Sequence, residues 1–224
     1  MSDFKVYPDS ETVAQAAADY IFHQIKTCVE KKAQCHVVLP GGSTPARVLE
    51  ILSDKPLPWH HIHWYPGDER CYPKGHAERN DTMILQKLFS KQGDVTANFH
   101  AIPAELGPEQ GAAKYSALLD ATGGLDIVIL GMGEDGHTAS LFPGNVGLDD
   151  LRSAVPVYAA PKAPGERISI GLTTLNSAAE CIVIATGENK SKALAKLQQG
   201  KVLPVGLVGA DVWFVDEAAA SMRK

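Results

Sequence analysis

The stretch Leu125-Asp126-Ile127-Val128-Ile129-Leu130 constrains this chain more than any other. It is a short apolar run rich in β-branched residues, ended by the glycines at 131, 133 and 136. A strand that is apolar on both faces belongs inside a parallel sheet covered by helices on each side. The glycines let the backbone turn sharply at the strand's carboxyl end, which is where open α/β sheets bind ligands. Asp135 and His137 stand in that turn, one residue apart. An imidazole exchanges protons near neutral pH, and a carboxylate beside it can fix its tautomer.

The rest of the chain supplies the layers such a strand needs. Asp9 or Ser10 can cap a helix running to about Lys32, with Val13, Ala16, Ala17, Tyr20, Ile21 and Ile25 as its apolar stripe. Strands are expected over 36–39, 61–65, 98–102, 155–158, 167–172, 181–185, 205–208 and 211–215. Helices are expected from Pro45 to the Asp54-Lys55-Pro56 break, over 80–90, over 109–119, and from Lys190 through Leu194 and Leu197. Strands alternating with helices imply parallel βαβ units with right-handed crossovers. No linker rich in Gly, Ser or Pro interrupts the 224 residues, so the expectation is one domain over 1–224: a single α/β, mostly parallel, doubly wound and Rossmann-like sheet flanked by helices.

Composition excludes several classes. The chain is 45% apolar and 21% charged, as in an ordinary soluble globule. A net charge of −5 argues against nucleic acid as a partner, so an anionic ligand must be caught by a few local cations. Cysteines 28, 35, 71 and 181 form no C-x-x-C pair, no apolar run reaches membrane length, and no secretory leader is expected. The expectation is a cytoplasmic protein with reduced thiols and no membrane association.

Two motifs mislead. Gly131-x-Gly133-x-x-Gly136 matches the dinucleotide fingerprint, but Pro143-Gly144 cuts short the helix it requires and the following strand ends without an acidic residue. No nicotinamide or flavin cofactor is expected. His60-His61-x-His63 looks like a metal cluster, yet only His61 and His63 would share a strand face and no Cys or carboxylate lies nearby in sequence. No metal is expected.

A phosphate site is better supported. Gly41-Gly42-Ser43-Thr44-Pro45 lies between a strand and a helix, where backbone N–H groups, two hydroxyls and the helix dipole converge. It lacks the Lys of a P-loop, so it suits a monophosphate rather than a nucleoside triphosphate. Arg70, Arg167 and Lys190 sit beside expected strand ends or loops. Guanidinium groups grip phosphate oxygens bidentately, and a Lys serves as a mobile point charge. Lys190 at a helix N-terminus opposes the dipole unless an anion lies between. Asp68 and Glu69 offer carboxylates at the tip of the second strand, as proton acceptors or as ion-pair partners of Arg70.

Taken together, the chain resembles the 6-phosphogluconolactonase family, cousins of the glucosamine-6-phosphate isomerase/deaminases. The likeness rests on the 39–45 loop, Gly67-Asp-Glu-Arg70, 126–143, Arg167-Ile-Ser-Ile, Ala185-Thr-Gly-Glu-Asn-Lys190 and Trp213-Phe-Val-Asp-Glu-Ala-Ala-Ala220. It implies hydrolysis of 6-phospho-D-glucono-1,5-lactone in the pentose phosphate pathway without metal or organic cofactor, by a monomer or small homo-oligomer. Ser43, Thr44, Arg70, Arg167 and Lys190 would hold phosphate or sugar hydroxyls, and His137 would be the general base. Asp135 or Asp68 would orient or charge-stabilise that imidazole, with N–H groups of the 131–136 turn as oxyanion donors. The isomerase/deaminases resemble this stretch but carry a Glu five residues after the His; here Phe142 stands there and cannot assist proton transfer. The alternatives are an isomerase/deaminase-like activity and a sugar-phosphate-binding regulator without turnover. The segment Lys74-Gly-His-Ala-Glu-Arg79 departs from the family pattern and leaves the roles of His76 and Arg79 open.

Overall fold

The apolar run at 125–130 leads into and largely forms strand β5, Ile127–Gly131, in a computed structural model that describes residues 3–93 and 95–222. It lies inside a six-stranded, all-parallel sheet. The other strands are β1 (Asp3–Tyr7), β2 (Cys35–Leu39), β3 (Ile62–Pro66), β8 (Glu180–Ala185) and β9 (Val212–Asp216), in the order β1-β9-β8-β5-β2-β3. Alternation along the strands feeds two cores. Val38, Val128, Leu130 and Val183 face one cluster, and Val37, Leu39, Ile127, Ile129 and Ile182 face the other. Both faces are therefore apolar, which is why the pattern in these strands is continuous.

Helices cover both faces. Helix α1 (Ser10–Lys32) and α2 (Ser43–Ser53) pack on each other against one face, and α4 (Pro108–Asp120) lies on the other. Asp9 caps α1 by accepting from the Thr12 N–H at 2.8 Å, as the sequence implies. Helix α3 (Asn80–Ile84) continues as a π-helical turn, Leu85–Phe89. Short helices α5 (Leu172–Asn176), α6 (Ser191–Gln198), α7 (Pro204–Leu207) and α8 (Glu217–Ala220) complete the shell. No helix among the described residues is long and apolar enough to cross a membrane.

A second, antiparallel sheet holds β4 (Asp68–Arg70), β7 (Arg167–Ile170) and β6 (Ala154–Val157), in the order β4-β7-β6. The segments at 155–158 and 167–172 are thus strands, but of this separate sheet.

Other expectations change. The stretch 98–102 touches the edge strand β3 at a single bridge, Phe99 to Trp64, and begins in the 3₁₀ turn Thr96–Asn98. Pro103 has no N–H with which to continue a ladder. The stretch 205–208 is helix α7 up to Leu207 with Val208 as its C-cap, because Pro204 suits a first helical turn and cannot donate to a sheet. His61 closes a 3₁₀ turn ahead of β3 and bonds the Ala33 carbonyl, so it shares no strand face with His63. Strand β1, which pairs with β9, has no counterpart among the expected elements.

Candidate active site

The chain runs outward from β2 to β3 and from β5 to β8, so the strand order reverses between β2 and β5. That switch point opens a crevice at the carboxyl ends of the strands. A cleft of about 710 Å³ lies there, floored by the 40–45 loop after β2 and the 131–139 turn after β5.

Gly41, Gly42, Ser43 and Thr44 line it. The N-cap of α2 is Gly42, at φ 102°, and no side chain caps the helix. The hydroxyl of Thr44 lies 2.7 Å from that of Thr186 at the end of β8. Helix α2 therefore presents its first turn to the cleft without an internal anion, the arrangement that favours a bound phosphate.

In the 131–139 turn, Nδ1 of His137 lies 2.5 Å from Oδ1 of Asp135, which also accepts the His137 backbone N–H at 3.0 Å. With Nδ1–H donated to the carboxylate, the tautomer leaves a lone pair on Nε2. Asp135 is held below the usual carboxylate range: desolvation works against ionisation, and the His137 N–H and imidazole outweigh it. His137 lines the cleft with its ring 4.5 Å from that of Phe142, and the Arg167 guanidinium lies 5.5 Å from the same Phe142 ring. Gly133 is glycine for a steric reason. A Cβ there would lie 2.1 Å from His137 Cε1 and Nδ1. The G-x-G spacing that mimics a dinucleotide fingerprint thus makes room for an imidazole. The turn also consumes two of the expected oxyanion donors, since Gly133 N–H bonds the His137 carbonyl and Gly136 N–H bonds the Gly133 carbonyl.

Asp68 belongs to a different network. Its Oδ2 accepts from Ser140 Oγ at 2.5 Å and its Oδ1 from Asn80 Nδ2 at 3.0 Å, so Asp135 is the carboxylate on His137. Asn80 presses against the phosphate loop as well: a Cβ on Gly41 would meet Asn80 Oδ1 at 2.1 Å. Behind it, Glu69 is fully buried and accepts the N–H groups of Arg70, Asn80 and Asp81. Burial pushes Glu69 up to about 7, against the pull of those donors. Buried Arg79 bonds Asp81 and the carbonyls of Tyr72 and Ile102, which makes it a brace of the 71–79 loop. His76 stacks on Tyr72 in the same loop. The sequence signals neither Asn80 nor Ser140, because both act through contacts made across long chain separations.

The cations converge. Arg70 and Arg167 are direct cross-strand partners of the β4–β7 pair. Like charges placed opposite each other destabilise a sheet. Burial holds Arg167 below the usual arginine range, with Asp68 pulling it up and Arg70 adding to the depression. Arg70 Nε is buried and has no hydrogen-bond partner among the described residues. Lys190, at the turn Glu188–Lys190 before α6, is also lowered by desolvation. Both arginines and Lys190 line the same cleft as His137. The only group of potential metal donors among the described residues is elsewhere: Cys28, Cys35 and Asp126, ahead of β5. Asp126 already receives Lys32 Nζ at 2.5 Å and the His36 N–H at 2.8 Å.

Fold and cleft together define a doubly wound α/β protein with an anion-receptive site beside a carboxylate-oriented histidine. The chain belongs to the glucosamine-6-phosphate isomerases/6-phosphogluconolactonase family, whose model matches residues 8–215. It is 33% identical over 202 residues to a Nostoc sp. protein named 6-phosphogluconolactonase, covering 86% of this chain and 83% of that one. A Rattus norvegicus protein of the same name is 33% identical over 236 residues, covering 97% and 92%. The crystal structure of 6-phosphogluconolactonase from Thermotoga maritima superposes with a TM-score of 0.88 at 27% identity, covering 96% of this chain and all of that one.

Proposed function

We propose that this protein hydrolyses 6-phospho-D-glucono-1,5-lactone to 6-phospho-D-gluconate, the lactone-opening step of the pentose phosphate pathway. The observation that carries the proposal is the convergence in one cleft of the free Nε2 face of His137 with the opposed guanidinium groups of Arg70 and Arg167. Ser43, Thr44 and the open first turn of α2, with Arg70, Arg167 and Lys190, take the phosphate and sugar oxygens. Nε2 of His137 draws a proton from a water that attacks the lactone carbonyl carbon, and Asp135 stabilises the imidazolium formed. The proton is then delivered to the ring oxygen as the tetrahedral intermediate collapses and the ring C–O bond breaks. Asp68 is a fixed brace, joined to Ser140 and Asn80, that keeps the wall carrying Arg70 aligned with the turn after β5.

Phe142 speaks against the isomerase/deaminase branch, because an aromatic ring stands where that chemistry would need a second acid–base group. The test is the time course of acid release from freshly prepared phosphogluconolactone, measured against the spontaneous rate. His137→Ala is expected to lose about 10²- to 10⁴-fold in kcat, the span of general-base contributions, while inorganic phosphate still binds. Turnover near the wild-type rate in that variant, or ammonia release from glucosamine 6-phosphate by the wild type, would overturn the proposal.

A further inference from the structure

The turn between β6 and β7 carries a lysine into the cleft that the mechanism above does not use. Lys162 lines the cleft, and its side chain is 73% exposed. It pairs with Glu134, at 3.9 Å. The turn itself is fastened from below. Arg167 donates Nη2–H to the Lys162 carbonyl at 2.8 Å and Nε–H to the Pro164 carbonyl at 3.2 Å. The Ala160 N–H closes the turn onto the Gly165 carbonyl at 2.9 Å. Arg167 thus has two jobs, since part of its donor fork holds the loop that bears Lys162 and the remainder faces the cleft.

Glu134 is shared. It accepts Asn189 Nδ2–H at 3.0 Å, one residue before Lys190. Burial lowers Lys190, the charge on Lys162 adds to that, and Glu134 and Asp135 oppose it. A solvent-exposed carboxylate therefore stands beside two lysines and an arginine, in a cleft that also holds an uncapped helix start.

We propose that Lys162 is a further substrate-binding residue, which leaves Glu134 and closes over the phosphate dianion of the bound lactone. This rests on the substrate class proposed above. A long, exposed Lys–Glu contact is weak and easily given up. A phosphate dianion offers three oxygens and twice the charge, and contacts to it are of the stronger, charge-assisted kind. The flexible four-carbon stem of lysine reaches it without moving the backbone that Arg167 holds.

The test compares Lys162→Ala and Lys162→Arg with wild type on two substrates, phosphogluconolactone and unphosphorylated glucono-1,5-lactone. Lys162→Ala is expected to raise KM for the phosphorylated lactone about tenfold, the scale of one hydrogen bond to a charged group, with kcat within about twofold. Lys162→Arg recovers most of that loss, and the alanine change leaves the unphosphorylated lactone unaffected. Glu134→Gln lowers KM for the phosphorylated lactone, and that gain disappears when Lys162 is already alanine. An unchanged KM in Lys162→Ala, or an equal loss on both lactones, overturns the proposal and leaves the loop as scaffolding. Absence of wild-type turnover would instead overturn the lactonase proposal, and titration of inorganic phosphate into wild type and Lys162→Ala would still decide the part played by Lys162.

Discussion

Gly133→Ala isolates the placement of the imidazole from every other property of the site. The added Cβ would sit 2.1 Å from two atoms of the His137 ring, where ordinary contact begins near 3.4 Å. The ring must therefore retreat by about 1.3 Å, or the turn must shift by as much. Gly133 is not among the glycines held at positive φ, so the backbone itself accepts alanine. Movement on this scale breaks the 2.5 Å contact with Asp135 and lifts Nε2 away from the attacking water. A misplacement of about 1 Å costs about 10²-fold in rate, and overpacking costs about 1–3 kcal/mol of stability, or roughly 2–12 °C in Tm for a chain of this size. The assay is steady-state lactone hydrolysis with a melt in parallel, including Gly133→Ala in the His137→Ala background. The expected result is a kcat loss of about 10²-fold with little change in KM, and no further loss once the imidazole is gone. A Gly133→Ala enzyme within threefold of wild type, or losses that simply multiply in the double variant, would refute the steric argument.

Two further outcomes follow from the charge arrangement. Phosphate at about 100 times its Kd should stabilise the protein by roughly 2.7 kcal/mol, and Arg70→Gln and Arg167→Gln should each remove most of that shift in a thermal melt; undiminished stabilisation in both would mean that the opposed arginines do not bind the anion. His36, His63 and His100 form a half-buried stack in which His63 Nδ1 lies 3.0 Å from His100 Nε2, and burial followed by the neighbouring imidazole holds His36 and His100 below the ordinary histidine value. The folded state therefore resists protons that the unfolded chain takes up, so the contribution is fully present above about pH 6.5 and is lost as pH falls through that value toward the lower folded one. Urea midpoints between pH 8 and 5.5 should show that fall, and His36→Gln with His100→Gln should flatten it.

The parts of this site that local pattern could reveal are those carried by single strand-to-helix transitions. The 125–137 stretch announces a buried strand, a turn and a proton-exchanging pair, and 39–45 announces a strand followed by a helix start; each places its chemistry at a carboxyl end. Arg70 and Arg167 were recognisable as cations near strand ends, but nothing in either segment encodes that β4 and β7 leave the main sheet and pair antiparallel. Their register, Arg70 opposite Arg167, arises from pairing across 97 positions and is visible only in three dimensions. Asn80 is hidden for the same reason, since its contact is with Gly41. The false strand at 205–208 shows the converse: β-branched residues favoured a strand, and one proline at 204 decided otherwise.

The handling of the carboxylates explains how an acidic chain keeps a cationic cleft. A net charge of −5 works against anions at long range, and at physiological salt that field is screened beyond about 8 Å. Capture then depends on charge left unneutralised at short range. Asp68 is satisfied by a serine hydroxyl and an asparagine amide, Asp135 by an imidazole and a backbone N–H, and Glu69 by three backbone N–H groups. None of these carboxylates forms an ion pair with Arg70, Arg167 or Lys190 among the described residues. Had Asp68 closed on Arg167, that guanidinium would be held in a structural salt bridge and would be less free to bind an anion. Bonding Asp68 to neutral donors keeps the wall rigid and leaves the repulsion between the two guanidinium groups to be relieved by whatever anion enters.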